Sequence, residues 1–242
     1  MKFLDAILGI LFPPRCLICR TPGEKIFCEN CIQKIKYIHQ YCPICGKPQE
    51  SLQEKICGDC FSSKPIFDLA RSVAIYEGVI KQAIHKFKFR GKSMLSIPLS
   101  GLLIKYLDED PFGIDSGKVA LITMVPLYRD RERERGFNQS QLLAALVAKH
   151  YNIPFKENIL VRTRKTRPQF DLKKSERFTN VVGAFRMSRE ENISGKTILL
   201  IDDILTTGAT VSECAKALKE GEAKRVFVLT LSRAIEEQPF LC

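Results

Sequence analysis

Residues 197–210, TILLIDDILTTGAT, decide the fold. Ile198, Leu199, Leu200 and Ile201 form a short unbroken apolar run, the pattern of a strand buried on both faces. Asp202 and Asp203 follow at once. Next comes the turn Thr206-Thr207-Gly208-Ala209-Thr210, then a helical pattern through Ala215 and Leu218. Gly208 lets the backbone approach a ligand closely or take a positive φ. Free N–H groups at a helix start, with threonine hydroxyls beside them, make an anion site. Two carboxylates next to a bare phosphate would repel it, so the ligand must also bring hydroxyls, a divalent cation, or both. A ribose phosphate carried with Mg²⁺ meets that description. The plain alternative is a buried strand whose Asp and Thr side chains only cap the next helix.

Composition narrows the class. A chain of 242 residues with 45% hydrophobic content can build one large domain or two unequal ones, and wholesale disorder is excluded. The formal net charge is +11, which points to phosphate-bearing partners. Residues 126–190 hold 15 Lys/Arg against 7 Asp/Glu, a local excess of 8, so most of the surplus charge lies in one region.

Eight of the ten cysteines form four Cys-x-x-Cys pairs: Cys16/Cys19, Cys28/Cys31, Cys42/Cys45 and Cys57/Cys60. Two such pairs complete a tetrahedral Cys₄ set, so four pairs predict two Zn²⁺ ions. Neighbouring pairs are the simplest partners, and an interleaved pairing is compatible with the same spacing. Gly46 and Gly58, each just after a cysteine, suit tight knuckle turns. Closed sites of this kind are structural rather than catalytic, with an iron–sulfur cluster as the remote alternative. Metal-type spacing implies a reducing compartment, hence a cytoplasmic protein. No stretch has the roughly 18 consecutive apolar residues of a membrane span, so stable membrane insertion is not expected. The N-terminal MKFLDAILGILFPP reads as a short amphipathic helix with Phe3, Leu4, Ile7, Leu8 and Leu11 on one face, docked on the protein's own core.

Ser62-Ser63-Lys64-Pro65 reads as a linker, dividing a zinc-binding segment, residues 1–62, from an α/β domain, residues 66–242. In the second part a weak strand over 71–76 is followed by a helix over 79–89 with a basic edge including Lys88 and Arg90. A second helix over 95–107, a loop over 111–117 and an apolar strand over 119–125 ending at Pro126 come next. The charged YRDRERERGFNQS block then leads into a helix over 139–151. A short strand over 159–161 precedes RTRKTRPQFDLKKSERFTN, which predicts a long mobile loop entering a helix near 175–180. Residues 181–187 read as extended and 225–231 as the last strand. Helices alternating with apolar strands predict a parallel sheet, with ligands bound beyond the carboxyl ends of the strands.

The stretch 197–210 resembles the phosphoribosyl pyrophosphate (PRPP) signature of type I phosphoribosyltransferases. By that resemblance Asp202 and Asp203 hold the ribose hydroxyls, with Mg²⁺, and Thr206, Thr207, Gly208, Ala209 and Thr210 wrap the 5′-phosphate. The whole chain resembles the ComF family of competence proteins, of the ComFC type. The likeness rests on the cysteine pairs, the VPL…RGFNQS block, the RTRKTRPQ…L…ER..N block and IDDILTTGAT. It implies a double zinc ribbon joined to a phosphoribosyltransferase-like domain that handles incoming single-stranded DNA in natural transformation. A competence helicase or other DNA-uptake protein would be its partner. It places Val125, Pro126, Leu127 and Arg135 at the pyrophosphate loop and the block after it. Arg129, Arg164, Lys165 and Arg167, with Lys88 and Arg90, are the candidate DNA contacts. Cys214 is expected to be a buried thiol and Phe178 a core residue. Two functions remain at this level: a DNA-handling module with a retained PRPP site, and an active PRPP-dependent transferase on a nucleobase or amine.

Overall fold

The computed structural model describes residues 14–49, 55–89, 92–109, 118–167, 172, 174–188 and 191–235. The predicted N-terminal helix, Arg90, the 111–117 loop and residues 168–171 lie outside the described residues.

The apolar run of the central stretch does form a strand, β5 (Thr197–Leu205), and this strand continues through the acid pair instead of ending before it. Its side chains alternate between two cores. Leu199 and Ile201 face one hydrophobic cluster, while Ile198 and Leu200 face the other. Among the described residues four parallel strands make the sheet, in the order β1 (Leu69–Ile75), β6 (Arg225–Arg233), β5, β2 (Leu121–Met124). One face carries α3 (Gly78–Phe87), α4 (Ser96–Asp108) and α6 (Gln139–Tyr151), which bury Ile84, Phe87, Leu99, Leu103, Leu143 and Val147. The other face carries α8 (Ala209–Glu220), which buries Val211, Cys214 and Leu218. Helices on both faces explain why the strands read as continuous apolar runs.

The charged RDRERER run is itself a short helix, α5 (Arg129–Arg135), closed by Gly136 at φ 84°. A left-handed glycine after the last turn is the usual helix stop. The basic stretch after β3 (Leu160–Arg162) enters α7 (Lys174–Val181), and β4 (Phe185–Met187) returns antiparallel to β3. This two-stranded hood lies beside the main sheet. Phe178 on α7 is 46% exposed, which corrects its expected core role.

The zinc-binding segment packs directly on the sheet. Residues around Tyr37 pair antiparallel with β1: Ile38 N–H donates to Val73 O and Ile75 N–H to Lys36 O. The other edge is treated alike, with Pro154 and Lys156 bonded to Ile122 of β2. Both edges of the sheet are therefore covered. Two buried arginines anchor the second half of the segment. Arg71 donates to Pro43 O at 3.0 Å and lies over the Tyr41 ring, and Arg233 donates to Cys45 O at 2.6 Å. Gly46 sits against this joint at φ 68°, where an added Cβ would fall 2.6 Å from Ala70 O. Gly58, by contrast, is the first residue of the short helix α2 (Gly58–Ser62), with open space around it, so no turn requires a glycine there.

Candidate functional site

The eight cysteines fall into two clusters, Cys16/Cys19/Cys28/Cys31 and Cys42/Cys45/Cys57/Cys60, with ligand atoms within 4.8 Å of one another in each. Neighbouring pairs join, and the interleaved pairing does not occur. Sulfur–sulfur distances are 3.9 Å for Cys16–Cys31, 3.5 Å for Cys19–Cys28 and 3.6 Å for Cys45–Cys57. A tetrahedral zinc with Zn–S near 2.3 Å requires edges of about 3.8 Å, so the donor sets fit the ion. Backbone N–H groups point at the sulfurs, from Ile18 and Cys28 to Cys16 and from Cys57 to Cys42. Burial pushes the Cys42 thiol up, but the N–H groups of Cys57, Cys45 and Ile44 outweigh it and bring it down to about 7. Hydrogen bonding with Thr21 lowers Cys19 to about 6, while burial first and neighbouring cysteines next push Cys31 up to about 12 and Cys45 up to about 11. Thiolates are the form that binds metal.

The second site lies where the carboxyl ends of β5 and β2 meet the starts of α6 and α8. Asp202 Oδ1 accepts two hydrogen bonds, from Ser140 Oγ at 2.8 Å and from Asp203 N–H at 2.9 Å. Ser140 owes its position to the Asn138 N-cap, whose Oδ1 accepts from Ser140 N–H at 3.0 Å. The amide of Asn138 donates to Val125 O at 3.2 Å. One capping side chain thus ties the Val125-Pro126-Leu127 segment to the acid pair. Asn138 and Ser140 flank a single residue before an apolar helical run, which is an N-cap signal readable in the sequence. The contact from Ser140 to Asp202, across 62 residues of chain, is not readable there.

Cations surround the two acids. Lys88 Nζ lies 2.9 Å from Asp203 Oδ2, and both side chains are mostly shielded, at 26% and 13% exposure. Lys88 therefore belongs to this site rather than to an exposed basic edge. Arg135 donates to Gln139 Oε1 at 2.7 Å; burial weighs against its charge while Asp203 and Asp202 support it. Arg162 lies over the Phe185 ring and donates to Thr166; burial weighs against its charge, while Cys214 and Asp202 support it. Asp202 is pushed up to about 7, chiefly by burial and next by the charge of Asp203. Cys214 is wholly buried on α8 with its thiol held protonated by burial, so it is no nucleophile.

The turn after β5 has the expected shape. Gly208 caps α8 at φ 87°, close to the Phe67 ring, and Thr207 Oγ1 accepts from Ala209 N–H at 3.4 Å. The half-buried Thr206, Thr207 and Thr210 and the buried Gly208 and Ala209 line the helix start beside the acids. Pro126 is buried and Leu127 half-buried at the end of β2.

The candidate DNA residues divide. Arg129 and Arg167 are exposed. Lys165 reaches Asp130 on α5 at 2.9 Å, so the basic stretch and α5 are brought together. Arg164 donates to the carbonyls of Asn180 and Val182 at 3.0 and 2.8 Å, holding the start of that stretch against the end of α7. Its guanidinium is engaged in structure.

Strand order, both helical layers, the acid pair and the capped turn define a phosphoribosyltransferase-type domain behind a double zinc ribbon. The double zinc ribbon domain family matches residues 7–61, and the phosphoribosyl transferase domain family matches residues 140–239. The DNA utilization protein YhgH of Escherichia coli (strain K12) is 31% identical over 226 residues, covering 92% of this chain and 98% of that protein. Competence protein F of Haemophilus influenzae is 29% identical, covering 91% of this chain and 97% of its own length. Competence protein ComFC of Bacillus subtilis (strain 168) is 32% identical, covering 91% and 89%. The chain belongs to the ComF family of competence proteins. Among solved structures, the glutamine PRPP amidotransferase of B. subtilis overlaps 56% of this chain and 26% of its own at 20% identity, with a TM-score of 0.38. At that score the overlap adds nothing to the fold, which stands on topology and the family matches. Among the described residues, no helix is long and apolar enough to cross a membrane.

Proposed function

We propose that this protein is a cytoplasmic DNA-handling factor of natural transformation whose phosphoribosyltransferase-type site binds PRPP with Mg²⁺. The observation that carries the reading is the charge arrangement at the end of β5. Two carboxylates, one of them pushed up to about 7, stand just before the turn that opens α8, with Lys88 paired to Asp203 and the charges of Arg135 and Arg162 acting on the acids. A simple anion would meet the carboxylates, and a bare cation would meet these positive charges. A ribose polyphosphate with one divalent ion offers hydroxyls and metal to the acids and phosphates to the cations and the helix start.

In this reading Asp202 and Asp203 hold the ribose hydroxyls and the metal. Residues 206–210 cradle the 5′-phosphate, and Pro126, Leu127 and Arg135 border the pyrophosphate. The metal would neutralise the charge of the polyphosphate, and Ser140 keeps Asp202 aimed at the ligand. Single-stranded DNA would be held by the basic stretch and α5, through Arg129, Lys165 and Arg167, with contributions from residues outside the described set. The names of the relatives, DNA utilization and competence proteins, support this assignment.

The intact acid pair and turn favour a second reading, an active PRPP-dependent transferase on a nucleobase or amine. Its catalysis would be positioning, charge neutralisation and exclusion of water, which need no dedicated nucleophile. Titrating the pure protein with PRPP and Mg²⁺, with and without labelled single-stranded DNA, tests both parts. Binding of PRPP that responds to DNA supports the proposal. Binding of neither ligand rejects it. Release of pyrophosphate with a candidate acceptor would establish the transferase.

A further inference from the structure

Lys88 was expected on a solvent-facing basic edge, and its position in the fold is different. It is the C-cap of α3, its N–H shared between the carbonyls of Ile84 and His85. That cap aims the side chain across the sheet end to Asp203 Oδ2, 2.9 Å away. The Lys88 side chain is 26% exposed and that of Asp203 13%, so the pair is held where water screens it poorly. Tyr76 closes one side, its phenol raised by burial and influenced by both Lys88 and Asp203. Arg135 and Arg162 complete the positive surroundings.

This arrangement sets a condition on what may enter. A lone divalent cation must displace Lys88 from Asp203 and leave the ammonium without its partner, while Arg135 also acts on the same acid. A cation that arrives with a polyphosphate removes that penalty, because the phosphate oxygens accept the ammonium as the metal takes the carboxylate. We infer that Lys88 makes the acid pair selective for a metal–polyphosphate complex over the free metal ion, guarding Asp203 in the ligand-free protein and passing to the ligand's phosphate oxygens on binding. The inference rests on the proposed PRPP·Mg²⁺ reading of the site and adds to it the order of binding and the residue that enforces it. Lys88 is a positioning and specificity residue; it transfers no proton and forms no covalent bond.

The test compares wild type, Lys88→Met, Lys88→Arg and the double variant Lys88→Met/Asp203→Asn, all zinc-loaded. Two probes are used: Mn²⁺ alone, followed by electron paramagnetic resonance of the free ion, and PRPP with Mg²⁺, followed by calorimetry. Lys88→Met should bind Mn²⁺ alone at least tenfold more tightly than wild type and PRPP·Mg²⁺ at least tenfold more weakly. The double variant should lose the Mn²⁺ gain, which places it at Asp203. Lys88→Arg should stay near wild type for both probes. Unchanged Mn²⁺ affinity in Lys88→Met overturns the inference, even if wild type binds PRPP well. The opposite pattern, a Mn²⁺ gain with no PRPP binding by wild type, keeps the guard and rejects the ligand. A merely structural role would weaken both probes together, and this outcome also overturns the inference.

Discussion

Asp202→Asn should stabilise the ligand-free protein while removing its ligand. Asp202 Oδ1 accepts from Ser140 Oγ and from Asp203 N–H, and an asparagine Oδ1 can accept both. What the substitution removes is a negative charge that the fold disfavours. The carboxyl is raised from 3.8 to about 7, first by burial and then by the Asp203 charge. At 1.36 kcal/mol per unit, a rise of about three units is worth about 4 kcal/mol. Asp202 is only half-buried and keeps its two hydrogen bonds in the charged form, so about 1–2 kcal/mol is expected. The sign follows from linkage. A folded pKa above the unfolded one gives stability that is full below pH ~4 and is lost as pH rises through 7. The variant lacks that titration. Its Tm should exceed wild type least at pH 5 and most at pH 8, by several degrees there, at about 2–4 °C per kcal/mol for a chain of this size. Thermal melts of zinc-loaded protein, without Mg²⁺, at pH 5, 6, 7 and 8 measure the divergence. A difference independent of pH, or a variant less stable than wild type at pH 8, would refute the reasoning.

Three further outcomes follow from the same structure. Metal analysis should find two zinc ions per chain, and Cys42→Ser should lose the ion of the second cluster and unfold that half of the ribbon first, as limited proteolysis would show. Gly46→Ala should destabilise by roughly 1–3 kcal/mol in denaturant titrations, because its Cβ would meet Ala70 O at a positive φ; a neutral effect would mean the ribbon is not held against β1 as described. Single-stranded DNA binding should weaken steeply with salt, at a log–log slope of about −0.7 per phosphate, and the combined Arg129, Lys165 and Arg167→Ala variant should flatten that slope for all sequences alike.

The sequence carried the parts of this protein that depend on local spacing. Cysteines three positions apart can grip one ion together, and four apolar residues before an acid pair suit an interior strand leading to a charged edge. The helix over 139–151 was equally legible, because Asn138 caps it and Leu143 and Val147 repeat on one face. Contacts set by tertiary packing were not. Lys88 reads as one more lysine in a basic run, and only the angle at which α3 ends brings it to Asp203. Ser140 reads as a helix-start residue, and its bond to Asp202 depends on how α6 lies against β5. Phe178 follows the helical period yet is 46% exposed in the fold. The helix Arg129–Arg135 was hidden because seven charged residues have no apolar period; ion spacing and Gly136 end it instead.

The account stands most directly on whether the acid pair and the turn after β5 form a metal-dependent ribose phosphate site. Calorimetric titration of wild type and Asp203→Ala with PRPP, each with and without Mg²⁺, measures this. Wild type should bind only with Mg²⁺, more tightly at pH 8 than at pH 6 because the cation needs Asp202 deprotonated, and Asp203→Ala should lose at least tenfold in affinity while keeping its zinc and its fold. Wild-type protein that shows no heat of binding at millimolar PRPP with Mg²⁺, or an Asp203→Ala variant that binds as well as wild type, would contradict it.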